Sequence, residues 1–301
     1  MTEQGISVVI VNYNAGNSLA ELVSGLDENT CVDKIIIVDN GSTDASLGPL
    51  EENAAHSSKL ALIRNPMNRG FATANNQGVA QAGGKYLLFI NPDCDGKKIP
   101  LARLMQLMDQ RPDVGMLGIV LRNADGSEQR GGRRYLPDPQ RSLMRVLGIN
   151  RHGFGSEVRG FDMVGTPLPD RPTEVEAISG AFMLVRREVL QQLGGWDESY
   201  FLHCEDLDLC MRFKLAGWKV LFVPDVSVTH YQGTSSRNRP VFVLRHKHRG
   251  MWRFYSKFYR GEAFWLLTLA VWSGIWLRFL LLAAAVSARR PFVQLLGHKS
   301  I

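Results

Sequence analysis

The chain has 301 residues, 45% hydrophobic and 21% charged, which is enough apolar length for a large core and excludes an intrinsically disordered protein. Its net charge of +6 is unevenly placed: from Arg237 onward there are 12 Lys and Arg against one acid, Glu262, while the first 236 residues hold 23 basic and 28 acidic residues. An acidic body with a basic tail argues against a nucleic-acid-binding protein and for a tail with its own anionic partner.

The four cysteines, Cys31, Cys94, Cys204 and Cys210, form no C-x-x-C pair, which excludes a cysteine zinc site by spacing. The opening MTEQGISVVIV lacks the basic segment and cleavage site of a signal peptide. Free thiols and a reducing, cytoplasmic setting are expected.

Short β-branched runs at Ile6–Val11, Lys34–Val38, Leu60–Ile63, Tyr86–Ile90 and Val114–Val120 predict buried strands. Helical patterns fall between them, over Ser18–Leu26, Ala45–Asn53, Ala72–Ala82 and Leu101–Gln110. This alternation predicts an α/β fold with a mostly parallel sheet covered on both faces. Ligands of such sheets sit at the carboxyl ends of the strands, where Asn12, Asp39 and Asp93 all fall.

Residues 121–175 are rich in Gly, Pro and Arg and read as a long loop with short helical pieces around Arg141–Leu147. Regular structure is expected to resume with a strand over Ala181–Val185 and helices over Arg187–Leu193 and Glu205–Ala216. Two further strands are expected, over Val220–Val223 and Val226–His230. The resulting division is a domain over 1–236, with halves at about 1–120 and 121–236, and a helical tail over 237–301.

In that tail Arg249, Arg253, Lys257 and Arg260 fall on one helical stripe with Trp252, Tyr255 and Tyr259 on another. The pattern suits an interfacial helix on anionic lipid; the alternative is a basic face whose aromatics pack on the body. Ala263–Ala288 is apolar except for Arg278. Its 26 residues would make a helix of ~39 Å, enough to cross a bilayer with tilt. The mid-segment charge and the shared face of Trp265, Trp272 and Trp276 favour a monotopic helix or helical hairpin over a true span.

Asp93-Cys94-Asp95 directly follows the apolar run Tyr86–Ile90 in LLFINPDCD. Carboxylates at the end of a buried strand can hold a divalent cation and leave positions for a diphosphate. Asp39 ends the second strand in IIIVDNGSTD, where it can accept hydrogen bonds from a base or ribose, although Asn40-Gly41 also simply makes a turn. Tyr13, in VNYN, is a candidate platform for a base. Asn68, Asn75 and Asn76 flank a helix start, where free N–H groups suit phosphate. The run GGWDESYFLHCEDLDLCMRF places five acids from Asp197 to Asp208, one of which can serve as general base to an attacking hydroxyl. His230 becomes a metal or phosphate ligand if its strand end meets Asp93.

Taken in order, SVVIVNYN, IIIVDNGSTD, NRGFATANN, LLFINPDCD, SGAFMLVRR and GGWDESYFLHCEDLDLCMR resemble the family 2 inverting glycosyltransferases of GT-A fold, in their bacterial rhamnosyltransferase-like branch. The resemblance covers Ile6 to about His230. It implies that Tyr13 and Asp39 bind the nucleoside, that Asn76 lies near the donor, and that Asp93 contacts Mg²⁺ or Mn²⁺ with the diphosphate. Asp95 and His230 are implied as further metal ligands, Asp206 as the base, and Trp196, Asp197 and Glu205 as acceptor-binding residues. The triplet here reads Asn91-Pro92-Asp93 where the family's often begins with Asp, so either Asp93 or Asp95 is the principal ligand. The implied partners are a nucleotide-sugar donor, dTDP-rhamnose before a UDP- or GDP-sugar, a polyprenyl-diphosphate-linked glycan acceptor and anionic lipid on the cytoplasmic face of the membrane. A nucleic-acid-binding protein and a catalytically silent scaffold are the competing readings; the acidic body opposes the first and the intact acid set the second.

Overall fold

The computed structural model describes residues 4–54, 58–138, 161–231, 239–261 and 264–296. In chain order the first half runs β1 (Ile6–Asn12), α1 (Ser18–Asp27), β2 (Val32–Asp39), α2 (Gly48–Ala54), β3 (Leu60–Arg64), α3 (Phe71–Val79), β4 (Tyr86–Ile90), α4 (Leu101–Gln110) and β5 (Val114–Arg122). The second half adds β6 (Arg133–Arg134), β7 (Thr173–Val175), β8 (Ala177–Ile178), β9 (Phe182–Arg186), α5 (Arg187–Gln192), α6 (Glu205–Leu215), β10 (Lys219–Thr229), α7 (Pro240–Phe258) and α8 (Trp265–Leu296).

Eight strands make one sheet in the order β3-β2-β1-β4-β9-β5-β10-β7. The β1–β2, β1–β4, β2–β3 and β5–β10 pairs are parallel, and β9 runs antiparallel to both β4 and β5. Because β9 lies between strands of the first half, the two expected halves share a single sheet. The unbroken burial of β1 and β4 follows from helices on both faces: one apolar cluster gathers Leu22, Ile37, Leu88 and Leu104, the other Val9, Phe89, Trp196 and Phe213.

Three expectations need revision. The two strands expected over 220–230 are one long strand, β10, whose pairing with β5 shifts register between Val223 and Ser227. That irregularity lets the strand bend without ending, which turn residues such as Pro224-Asp225 disguise in the sequence. The apolar tail segment is not a hairpin in itself: α8 is a single 32-residue helix, since nothing in Trp265–Ala288 breaks the ladder and Gly274 alone is tolerated. It pairs instead with α7, in antiparallel sense, as Tyr255 meets Thr268 and His248 meets Arg278. Finally, the cationic stripe is partly consumed within the protein, because Arg253 and Lys257 of α7 pair with Asp197 and Asp208. The helical pieces expected around 141–147 lie outside the described residues.

Candidate active site

Register brings Asn12 and Asp39 side by side at the carboxyl ends of β1 and β2. The buried Asn12 amide donates to Asp39 Oδ1 at 2.9 Å, and the Gly41 and Ser42 N–H groups donate to Oδ2 at 3.2 and 3.1 Å. The Asn40-Gly41 turn therefore does more than reverse the chain; it supplies donors that fix the carboxylate. Tyr13 follows Asn12 and is half-buried.

The carboxyl ends of β4 and β10 meet at the same edge. Asp95 N–H donates to the Thr229 carbonyl, and Tyr231 N–H to that of Asp93. This pairing sets Asp93 Oδ1 3.0 Å from His230 Nε2, with both residues buried. Gln129 orients the ring: its amide nitrogen donates to the Asn123 side chain and the His230 carbonyl, which turns its oxygen to His230 Nδ1 at 2.6 Å. With Nδ1 turned to that oxygen, Nε2 is left facing the Asp93 carboxylate and the Asn91 amide nitrogen, the latter at 3.2 Å. Imidazole and carboxylate converging in a buried place suit a hard or borderline divalent cation, the rest of whose shell comes from substrate phosphate and water. Asp95 is not brought to this pair; it is exposed, and its Oδ1 accepts from the Lys97 N–H at 3.0 Å. Among the described residues no group of three His, Cys, Asp or Glu side chains forms a metal cage.

Asp206 lies in the first turn of α6 and reaches the same edge from the other side. Its Oδ2 accepts from Gly180 N–H at 3.3 Å, just ahead of β9, and Asn91 N–H donates to the adjacent Ala181 carbonyl. Arg134 of β6 holds the same oxygen at 2.5 Å and is itself tied to the Ile178 carbonyl. Glu205 beside it is buried, with Oε2 unpartnered. Burial, and then the Asp206 charge, push the Glu205 carboxyl up to about 8, so this acid is protonated at neutral pH.

The Trp196-Asp197-Glu198 segment closes the site. Asn76, expected near the donor, clamps this loop: its amide donates to the Trp196 carbonyl and Glu198 Oε1, and its oxygen accepts from Trp196 N–H, each at 2.9 Å. Gly195 makes the clamp possible, since at φ 75° it takes a backbone shape that suits glycine, and a Cβ there would sit 2.7 Å from Asn76 Oδ1. Trp196 is buried, edge-on to Phe71 and Phe89, so it shapes the floor from within the core. Asp197 is engaged by Arg253 and Lys257. Sequence reasoning passed over Arg134, Gln129 and Glu198. Arg134 sits in the aperiodic GGRRY run, and only its pairing with Asp206 distinguishes it from its neighbours.

Asp39, the Asp93–His230 pair and Asp206 thus line one edge of one mostly parallel sheet, which is the frame of a GT-A-type glycosyltransferase. Residues 7–194 match glycosyl transferase family 2, and residues 153–296 match glycosyl transferase family group 2. The chain belongs to glycosyl transferase family 2, is similar to rhamnosyltransferases within it, and is a glycosyltransferase enzyme. It is 28% identical over 280 residues to N-acetylglucosaminyl-diphospho-decaprenol L-rhamnosyltransferase of Mycobacterium tuberculosis, covering 87% of this chain and 89% of the relative. It is also 28% identical over 241 residues to rhamnosyltransferase WbbL of Escherichia coli, covering 77% and 86%. Among solved structures, the mannosyltransferase PcManGT from Pyrobaculum calidifontis in complex with GDP-Man and Mn²⁺ has a similar fold. It matches with a TM-score of 0.57 and 18% identity, over 99% of this chain and 80% of that one.

Proposed function

We propose that this enzyme transfers a sugar, rhamnose from dTDP-rhamnose by preference, to a hydroxyl of a polyprenyl-diphosphate-linked glycan, with inversion at the anomeric carbon. The observation that carries the reading is the placement of Asp39, Asp93–His230 and Asp206 along one sheet edge. The names of the two rhamnosyltransferase relatives support the sugar, and that of the mycobacterial one supports the lipid-diphosphate acceptor.

In the proposed reaction Tyr13 and Asp39 seat the nucleoside. Asp93 and His230 would hold Mg²⁺ or Mn²⁺, which supplies positive charge to the departing diphosphate; Gln129 keeps the imidazole in the ligating tautomer. Asp206 takes the proton of the acceptor hydroxyl as its oxygen attacks the anomeric carbon, and the nucleoside diphosphate leaves. Asp206 must exchange part of its contact with Arg134 for that hydroxyl. Glu205, protonated, would donate a hydrogen bond to the acceptor. The exposed apolar α8, whose segment Trp265–Ala288 is long and apolar enough to cross a membrane, supports work at the cytoplasmic face of a membrane bearing that acceptor.

The test is product analysis in lipid vesicles with dTDP-rhamnose, UDP- and GDP-sugars, Mn²⁺ and a prenyl-diphosphate N-acetylglucosamine. A new glycosidic bond with inverted configuration is expected, fastest with dTDP-rhamnose. Retained configuration, or no transfer from any donor, overturns the reading.

A further inference from the structure

The stripe on α7 divides into two halves. Arg253 and Lys257 are neutralised by Asp197 and Asp208, but one and two turns earlier Arg249 and Arg245 make no ion pair or hydrogen bond among the described residues. Arg249 lines a cavity of about 220 Å³ between α7 and the segment leading into the base, with Ser199, Phe201, His203, His246 and Gly250 among its other walls. Its volume is below the ~300–1,000 Å³ of sites that enclose a whole drug-sized ligand, so it fits one group of a larger substrate.

Its walls are built rather than incidental. His203 and Cys204, neither a glycine, both adopt left-handed backbone, with φ of 69° and 71°, a costly conformation that the surrounding packing must hold. Gly250 permits α7 to lie against them, because a Cβ there would come 2.6 Å from the His203 carbonyl oxygen. His246 packs at a tilt against Phe201 and the exposed Phe242, at 4.5 and 4.4 Å, and these three rings give the cavity an aromatic side. The two histidines are not its source of charge. Burial and then the cations of α7 lower both, His203 to about 4, so they are neutral and can offer N–H groups in a field set by Arg245, Lys247 and Arg249.

We infer that this cavity binds the diphosphate of the acceptor, gripped by Arg249, with the first isoprene units against Phe201 and Phe242. The inference rests on the proposed transfer to a lipid-diphosphate acceptor and narrows it. His203 lies three residues before Asp206, on the segment that opens the base-bearing helix, so on this inference the anion is held beside the same segment that carries the base. The inference therefore expects the reacting hydroxyl on a sugar near the diphosphate rather than at the far end of a long glycan. Guanidinium is suited to the task because its planar fork matches phosphate oxygens two at a time.

The test compares two acceptors on the full-length enzyme: farnesyl-diphosphate N-acetylglucosamine and an octyl N-acetylglucosaminide, which lacks the diphosphate. Wild-type enzyme is expected to favour the first in kcat/KM, and Arg249→Gln to shrink that preference tenfold or more, mainly through KM, with Arg249→Lys restoring part of it. In parallel, calorimetry with farnesyl diphosphate and EDTA reads binding away from the cation-dependent donor site, and Arg249→Gln should weaken it by a similar factor. An unchanged preference and unchanged binding overturn the inference. So does a variant whose only defect is weaker attachment to phosphatidylglycerol vesicles, which would assign the cavity to a membrane headgroup. Transfer to the octyl glycoside by wild-type enzyme keeps these outcomes separate from failure of the proposed reaction itself.

Discussion

Lys257 of α7 places its Nζ 2.6 Å from Oδ1 of Asp208, a residue of the base-bearing helix α6 with no exposed surface. The same ammonium reaches Asp197 at 2.7 Å, and Arg253 grips both oxygens of Asp197 at 2.9 and 2.8 Å. The tail is thereby bolted to the two segments proposed to form the acceptor side of the site. Lys257→Met should cost about 1.5–3 kcal/mol, the range for charged hydrogen bonds. In a urea-denaturation cycle with Asp208→Asn the two losses should fall short of additivity by at least ~0.5 kcal/mol. Strictly additive losses would show that the bridge carries no energy.

Asp206 is paired with Arg134 at 2.5 Å and with the Gly180 N–H. Asp206→Asn is nearly isosteric and should preserve nucleotide-sugar binding while lowering kcat by ~10²–10⁴, the usual worth of general-base help. Full transfer by this variant in a purified assay would remove Asp206 from the mechanism.

Gln129 touches no substrate in the proposed reaction but accepts the Nδ1 proton of His230. Gln129→Leu should raise the Mn²⁺ concentration for half-maximal activity by ~10–100-fold, as losses of such supporting partners do elsewhere. Excess Mn²⁺ should rescue kcat. A pure kcat defect that metal does not correct would contradict the ligand role of His230.

Glu205 gives a pH prediction with a definite sign. Its carboxyl titrates near 4.5 when unfolded and is raised to about 8 in the fold by burial, then by Asp206. Between those values the folded state holds the proton and the unfolded state does not. Its contribution is fully present below pH 4.5 and is lost as pH rises toward 8, at ~1.4 kcal/mol per unit of displacement. Glu205→Gln, permanently neutral, should therefore melt progressively higher than wild type as pH goes from 5 to 8. Parallel melting curves across that range would mean the acid is ionised in the fold.

The strand–helix alternation of the first half was readable because β-branched runs such as Ile35–Val38 and the amphipathic Leu101–Gln110 carry distinct periods. The acids were readable because they end strands or open a helix. What was hidden depends on non-local contact. Nothing near Arg134 announces Asp206, 72 residues away, nor does Asn76 reveal that it grips Trp196 across 120 residues. The tail misled for a related reason. A cationic stripe looks the same in sequence whether acids or lipid await it, and only the fold sets Asp197 and Asp208 opposite Arg253 and Lys257.

Arg278, the one charge within the apolar window, is not solitary: its guanidinium donates to His248 Nε2 at 2.9 Å, while Nδ1 of that ring donates to the Leu244 carbonyl at 2.7 Å. The midpoint of α8 is therefore moored to the stretch of α7 that carries Arg245, Lys247 and Arg249. Upright insertion of α8 would drag those cations into hydrocarbon at ~2.5–3.5 kcal/mol apiece on insertion scales. On the proposed membrane attachment, the cheaper posture would keep the pair reclining at the water boundary, with the exposed Trp272, Leu277, Leu280 and Leu281 available to the acyl chains. In that proposed posture the sugar-handling edge would stay at a constant height above the lipid, and the reach of the enzyme would be set by the width of a helix pair rather than by a tether.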